Sequence, residues 1–285
     1  MKFFQLDIFA DAPYLGNQLA VFPDAGDLSA GQMQAIASEM NLSETTFVTA
    51  TWSDSYDVRI FTPANEMPFA GHPTIGTAWL LVNQGIVKGD RVVQRTPAGE
   101  TVVDFDGENT WLEREGFSEK DLEVDDPVAL DLVANGLDIA SRDVGMEAHE
   151  MGRSGRLRPA VADAGLRQLM VPVKDVAALE ARRVPVGLDH LALGVYPFTA
   201  VGAGRLRARG LWPGVGVSED PATGSAAAAL GVYLADRVGD MEMEVSQGRE
   251  IGRPSRMLVR ATKNKVRVGG RCVLVFEGRL QQLPE

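Results

Sequence analysis

The pattern x-Pro-x-x-Gly-[Ser/Thr]-Ala occurs twice, as His72-Pro73-Thr74-Ile75-Gly76-Thr77-Ala78 and as Asp220-Pro221-Ala222-Thr223-Gly224-Ser225-Ala226, about half the chain apart. Each copy runs into an apolar stretch, Trp79-Leu80-Leu81-Val82 in one and Leu230-Gly231-Val232-Tyr233-Leu234 in the other. Repetition at that distance points to an internal duplication and so to two similar halves. Proline is favoured in the first turn of a helix, where its missing N–H costs nothing, so a helix is expected at each copy with His72 or Asp220 at or just before its start.

Both copies therefore set a titratable side chain beside a helix N-terminus, whose free N–H groups attract anions. Taken alone, either copy reads as an ordinary helix start with a tightly packed glycine. Their repetition, with a titratable residue before proline each time, favours a shared role. If the halves face each other, one cleft holds a His, an Asp and two helix ends aimed at a carboxylate.

A chain of 285 residues, 45% hydrophobic and 24% charged, has enough apolar material for a globular protein of two domains. The formal net charge of −11 argues against nucleic acid or an anionic membrane as partner. A small anionic metabolite stays open, provided that helix ends and main-chain amides attract it locally. Cys272 is the only cysteine, which excludes an intrachain disulfide and a cysteine-based metal site and suits the cytoplasm. Asp7 interrupts the apolar N-terminus, and no apolar run approaches the ~18 residues of a spanning helix, so neither export by a signal peptide nor membrane insertion is expected.

Phe3 to Phe9 alternates as a strand, and Pro13–Asn17 reads as a turn into a second strand at Leu19–Phe22. Ser29 is a candidate N-cap for a helix over Ala30–Met40 that ends at Asn41. Strands are expected from Leu42–Val48 and at Tyr56–Phe61, and the first repeat helix should run to Asn83 with Gly85 beyond it. Short strands near Val92, Val102 and Trp111 complete a first half. Gly116 to Val161, with the acidic run Glu123-Val124-Asp125-Asp126, shows little pattern, and the domain change belongs near its beginning.

The second half repeats the grammar. A strand is expected at Leu166–Val173, a short helix at Val176–Ala181 and a strand at Leu191–Tyr196. The stretch Pro213–Glu219 then leads into the second repeat and a helix over 222–236. Strands near Met243–Ser246, Met257–Ala261 and Val273–Phe276 follow. The first domain is placed at 1–115, completed by a strand at about 270–285, and the second at 116–269. The fold class is α+β, with mostly antiparallel strands and one long helix per half.

Three side chains stand out for acid–base chemistry. Glu44 lies among Ser43, Thr45 and Thr46, while His72 and Asp220 lead the two repeats. Proton transfer on carbon needs a shielded carboxylate, and desolvation raises the basicity of a Glu. A His supplies a second donor near neutral pH, and an Asp can orient an amine or hydroxyl. The plainer alternatives are a solvated Glu44 at a strand edge and a capping His72. His149 and His190 lie in no repeated context and read as structural or surface residues. Asn17 after Gly16 reads as a turn residue. Ser43 and Ser225 raise hydrolysis, yet the chain has no G-x-S-x-G elbow. H-E-x-x-H, P-loop and Rossmann fingerprints are missing too.

Several blocks together resemble the PhzF-like phenazine-biosynthesis family: Gly16-Asn17-Gln18-Leu19-Ala20-Val21, Asn41-Leu42-Ser43-Glu44-Thr45-Thr46-Phe47-Val48, Arg59-Ile60-Phe61-Thr62-Pro63, Pro68-Phe69-Ala70-Gly71-His72-Pro73-Thr74 and Glu219–Ala226. Gln247-Gly248 through Pro254-Ser255 matches its C-terminal block. The resemblance implies the diaminopimelate epimerase-like fold, two similar halves each with a curved sheet wrapped around a central helix and the active site between them, and a homodimer. In the epimerase relatives two cysteines act as paired bases at the central helix ends. Gly71-His72 and Asp220 stand there in this chain, so two-cysteine racemisation is excluded.

What the family implies instead is a cofactor-free isomerase. The residue matching Glu44 moves a proton between carbons of a cyclic amino acid, trans-2,3-dihydro-3-hydroxyanthranilate. His72 and Asp220 then hold and polarise the substrate, Gly224 and Ser225 bind its carboxylate, and Ser43 and Gly71 line the site. Two other readings compete: a non-catalytic binder of an anionic metabolite on the same scaffold, and an epimerase or racemase of another small acid.

Overall fold

A computed structural model of the chain describes residues 1–115, 130–181, 185–188, 190–212 and 217–285. The acidic run Glu123–Asp126 and residues 213–216 of the stretch leading into the second repeat lie outside the described residues. Two compact units emerge, Met1–Leu112 with Gly269–Glu285, and Glu113–Val268.

In chain order the first part carries β1 (Lys2–Ile8), β2 (Asn17–Phe22), α1 (Ala30–Met40), β3 (Glu44–Thr51), β4 (Ser55–Phe61), β5 (Glu66–Met67), α2 (Gly71–Asn83), β6 (Arg91–Thr96), β7 (Gly99–Asp106) and β8 (Asn109–Glu115). Then come α3 (Leu130–Leu137), β9 (Met146–Glu147), β10 (Arg156–Leu157), β11 (Ala160–Asp163), β12 (Arg167–Pro172), α4 (Val176–Ala181), β13 (Gly194–Gly202), β14 (Arg205–Ala208), β15 (Gly210–Trp212) and β16 (Val217–Asp220). The chain ends with α5 (Gly224–Val238), β17 (Met241–Gln247), β18 (Ser255–Thr262), β19 (Lys265–Gly270) and β20 (Cys272–Arg279).

Strand pairing makes the duplication visible. In the first unit β1 and β2 are antiparallel, β2 and β3 parallel, β3 and β4 antiparallel, β4 and β6 parallel, and β6 and β7 antiparallel. The second unit repeats that succession with β11, β12, β13, β14, β17 and β18. Each parallel pair needs a crossover, and helices supply it: α1 and α4 at the first, α2 and α5 at the second. The two repeat copies thus open helices that occupy equivalent places in their own units. Strand β20 pairs with β1 along nearly its full length and completes the first unit.

Local chemistry explains these elements. Ser29 and Gln32 form a reciprocal capping box at the start of α1, and Asn41 closes that helix in the left-handed region at φ 50°. On β3, side chains alternate between two faces. Phe47 packs into an apolar cluster with Met33, Ile36 and Ala37 of α1, whereas Val48 joins Ala78 and Leu81 of α2. Glu44 and Thr46 share the parity of Val48 and so belong to the α2 face. Helix α2 is buried nearly all round, from His72 through Leu81, as a central helix must be. Gly76 makes that fit possible, since a Cβ there would stand 2.5 Å from Ile8 Cδ1 and 2.6 Å from Leu19 Cδ2. In the second unit α5 is buried from Ala226 through Ala235, and a separate apolar cluster gathers α3, α4 and strands β11 to β13.

Three expectations shift. The first central helix begins at Gly71, two residues before Pro73, so His72 lies within its first turn. Helix α5 begins at Gly224, not at 222, which leaves Asp220 on strand β16 opposite Gly210. Thr223 is extended, at φ −107° and ψ 90°, with its N–H donating to Gln247 Oε1 at 3.3 Å, so it stands as the N-cap and the helix begins after it. The strand expected at Leu191–Tyr196 runs instead over Gly194–Gly202, hydrogen-bonded to β12 on one side and β14 on the other.

Candidate active site

Glu44 is the first residue of β3, directly after the α1 cap, and its partner across the parallel ladder is Leu19. Strand alternation turns its carboxyl group toward the first turn of α2, where His72 Nε2 stands 3.2 Å from Glu44 Oε2. The two side chains are 19% and 8% exposed, so the pair is largely shielded while Glu44 keeps a path to solvent. Below it Thr46 Oγ1 and Thr77 Oγ1 hydrogen-bond at 2.9 Å and fasten β3 to α2. Thr46, one of the polar residues around Glu44, therefore serves the helix. Ser43 is exposed and its hydroxyl donates to Asn17 Oδ1 at 3.5 Å. Gly71 is half-buried ahead of His72.

The separation suits an ion pair, but the imidazole is neutral at physiological pH. Burial pulls His72 down to about 3, against an opposing hydrogen bond to the Gln18 main chain. A bond that favours the protonated ring is one the ring donates, and with Nε2 turned to Glu44 the donor is Nδ1. This tautomer, assigned from the hydrogen bonds, leaves Nε2 as an acceptor facing Glu44 Oε2. Such a ring welcomes the protonated carboxyl group more than the carboxylate.

Asn17 and Gln18 bring β2 into this arrangement. Asn17 is 1% exposed and opens β2 opposite Ile8, so it is a buried strand residue rather than the turn residue its sequence context suggests. The turn itself is made by Gly16, whose φ is +63° and whose absent Cβ would lie 2.2 Å from the Ile8 carbonyl oxygen. Few other residues fit there, and the constraint delivers Asn17 and the Gln18 main chain to the site.

In the second unit Asp220 is half-buried at the end of β16. Thr223 Oγ1 donates to Asp220 Oδ2 at 2.5 Å, and although Thr223 is the N-cap of α5 its hydroxyl makes no bond to the helix. The neighbouring acid, Glu219, is occupied by a buried two-point pair with Arg209 at 2.8 and 2.7 Å. Of the two adjacent carboxylates, Glu219 is thus structural. Gly224 and Ser225 lie half-buried in the first turn of α5.

The remaining sequence candidates fall elsewhere. His149 and His190 are exposed. Cys272 is buried on β20, and burial pushes its thiol well above the ordinary range. Among the described residues no group of three or more His, Cys, Asp and Glu stands at metal-binding distances, and no helix is long and apolar enough to cross a membrane. Three buried glutamines, Gln94, Gln168 and Gln247, were not among the candidates from sequence. An isolated Gln in a strand carries no signal of burial, and only the Gln247-Gly248 pair stood in a recognisable block.

A family model described as phenazine biosynthesis-like protein, PhzC-PhzF, matches residues 6–278. The trans-2,3-dihydro-3-hydroxyanthranilate isomerase of Pseudomonas chlororaphis is 41% identical over 268 residues, spanning 90% of this chain and 88% of its own. A PhzF-family phenazine biosynthesis protein of Bacillus anthracis shares the fold with a TM-score of 0.84, at 24% identity over 99% of both chains. The fold also extends to a probable proline racemase of Agrobacterium radiobacter, with a TM-score of 0.57 at 13% identity over 98% of this chain and 92% of that one. A match running nearly end to end, on a chain whose two units repeat one strand order around one buried helix each, makes this protein a member of the phenazine biosynthesis-like PhzC-PhzF family.

Proposed function

We propose that this chain is an isomerase that moves a proton between carbons of a small cyclic amino acid or related carboxylate, with trans-2,3-dihydro-3-hydroxyanthranilate as the first substrate to test. The observation that carries the reading is the shielded Glu44–His72 pair at 3.2 Å, with a neutral imidazole, in a chain 41% identical to an isomerase of that substrate. In the reaction the Glu44 carboxylate takes a proton from carbon, and the electron pair left behind spreads into the conjugated system of the substrate. The Glu44 carboxyl group so formed donates to His72 Nε2, which stabilises it. It then returns the proton to a different carbon, restoring the carboxylate, so that no net charge or redox change results. Asp220, Gly224 and Ser225 stay in the proposal as substrate-binding residues, supported by a carboxylate held as an acceptor and by main-chain N–H groups at a helix start. Ser43 and Gly71 stay as neighbours of the base. A small anionic metabolite as ligand, a homodimer and a cytoplasmic location belong to the same reading; the lone buried thiol suits a reducing compartment.

The test is turnover by the wild type and by Glu44→Gln in heavy water, followed by mass spectrometry. Glu44→Gln keeps the shape of the side chain but cannot accept the proton, so turnover should fall by roughly 10²–10⁴ while binding survives. Because Glu44 is only 19% exposed, part of the wild-type product should carry protium at the new C–H bond. Near-normal turnover by Glu44→Gln would remove Glu44 as the base and leave His72 next in line.

A further inference from the structure

Each unit contains a buried chain of side-chain hydrogen bonds with the same residue types in the same order. In the first, the Tyr56 hydroxyl donates to Gln94 Oε1 at 3.0 Å, Gln94 Nε2 donates to Thr74 Oγ1 at 2.7 Å, and Thr74 donates to the Ala70 carbonyl at 2.8 Å. In the second, the Tyr196 hydroxyl donates to Gln247 Oε1 at 2.8 Å, and Gln247 Nε2 donates to Thr223 Oγ1 at 3.0 Å. The chains differ at their far ends. Thr74 ends on the main chain at Ala70, the N-cap of α2, whereas Thr223 ends on the Asp220 carboxylate at 2.5 Å.

We infer that Tyr196, Gln247 and Thr223 are positioning residues of the reaction, a relay of fixed hydrogen-bond direction that holds the Asp220 carboxylate as an acceptor in one orientation. The inference rests on the reading of Asp220 as a site residue. Its direction follows from groups that cannot change role. The Thr223 main-chain N–H, which can only donate, meets Gln247 Oε1 at 3.3 Å, and the Asp220 main-chain carbonyl, which can only accept, meets Gln247 Nε2 at 2.7 Å. The Gln247 amide is therefore locked against a flip. Its Nε2 occupies a lone pair of Thr223 Oγ1, so the Thr223 proton is delivered to Asp220 Oδ2.

Tyr196 is bound to the same direction, since burial and the nearby Asp220 charge push its phenol far above the ordinary range and keep it a donor. Space is reserved for the relay by Gly210, opposite Asp220 on β15. A Cβ there would stand 2.5 Å from Thr223 Oγ1 and 2.6 Å from Gln247 Nε2. The first unit supplies the comparison, because the same order of residues without a carboxylate at its end simply fastens a helix start. What the second unit adds is control of a charged group.

Thr223→Val keeps the shape of the side chain and removes the donor, and Thr223→Ser restores it. Two readouts apply: the ¹³C shift of the Asp220 carboxyl group followed against pH in labelled protein, and kcat and KM with trans-2,3-dihydro-3-hydroxyanthranilate. Losing the donor should raise the Asp220 titration midpoint by about one pH unit in Thr223→Val and lower kcat/KM by about 10-fold, with Thr223→Ser near wild type in both. Tyr56→Phe, in the chain that ends on main chain, should leave the Asp220 midpoint where it is. If Thr223→Val does not fold, Tyr196→Phe takes its place, with the same direction and a smaller shift. An unmoved Asp220 midpoint in the variant tested, or Thr223→Ser behaving as Thr223→Val, overturns the relay. The carboxyl measurement needs no substrate, so a wild type that turns nothing over defeats the isomerase reading and leaves the titration to decide the relay.

Discussion

At the scale of single residues, His72, proposed as the partner of the base, also has a thermodynamic role. Its pKa lies at about 3 in the fold, and near 6.5 when the chain is unfolded, so between those values the unfolded state binds the extra proton. The stability that comes from a neutral buried ring is complete above about pH 6.5 and is lost as pH falls, by up to about 1.4 kcal/mol per unit. Urea unfolding of the wild type and of His72→Gln at pH 7 and pH 5 should show their difference change by about 2 kcal/mol against the wild type at the lower pH. A pH-independent difference would mean that the fold leaves the proton affinity of the ring unchanged, and a difference that moved in favour of the wild type at pH 5 would mean that the ring is held charged, in a true ion pair with Glu44.

At the scale of elements, the site depends on how closely α2 lies against β1 and β2. Gly76→Ala adds a methyl group that would meet Ile8 and Leu19 at about van der Waals overlap, 2.5 and 2.6 Å. Both contacts are ends of side chains, so they can yield, and alanine favours a helix by roughly 1 kcal/mol over glycine. Overpacking at a site with every neighbour buried costs more, about 1–3 kcal/mol, so net destabilisation is expected by thermal unfolding. Combined with Leu19→Ala, the loss should be less than additive, because the smaller side chain makes room. Additive losses would show that α2 accommodates the methyl group by another route.

Elements of this kind were legible to different degrees. Helix α1 could be read to the residue because its cap, apolar face and left-handed Asn41 are all local signals, and the same holds for the Asn83–Gly85 end of α2. Glu44 and His72 stood out as residues, but only the fold sets them 3.2 Å apart, since the antiparallel pair β3–β4 and the short β5 separate them in sequence. The α5 start was misplaced because Thr223 spends its side chain on Asp220 and its N–H on Gln247, both set by tertiary contacts. Strands β11, β14, β15, β16 and β19 are short or lie in weakly alternating stretches, and periodicity has little to read over so few residues.

At the scale of the whole molecule, the two units stand differently toward the chain. Residues 113–268 are continuous and own the cluster of α3, α4 and β11 to β13 together with the buried α5. The other unit is assembled from two pieces, because β20 within 269–285 pairs with β1 from Lys2 to Ile8. Leu280 also packs into the α1 cluster, and Gln32 Nε2 donates to the Pro284 carbonyl at 2.8 Å. Without that return, β1 keeps β2 on one side but exposes its other edge. We expect a fragment of residues 113–268 to unfold cooperatively in urea, and residues 1–112 alone not to. Joining 1–112 to 269–285 through a flexible Gly/Ser linker should restore a cooperative transition, since closing such a loop costs little beside the strand pairing regained. Circular dichroism across a urea series separates the cases. Cooperative unfolding of 1–112 by itself would show that β20 is dispensable, and a fragment 113–268 without a transition would make the second unit's stability a property of the intact chain.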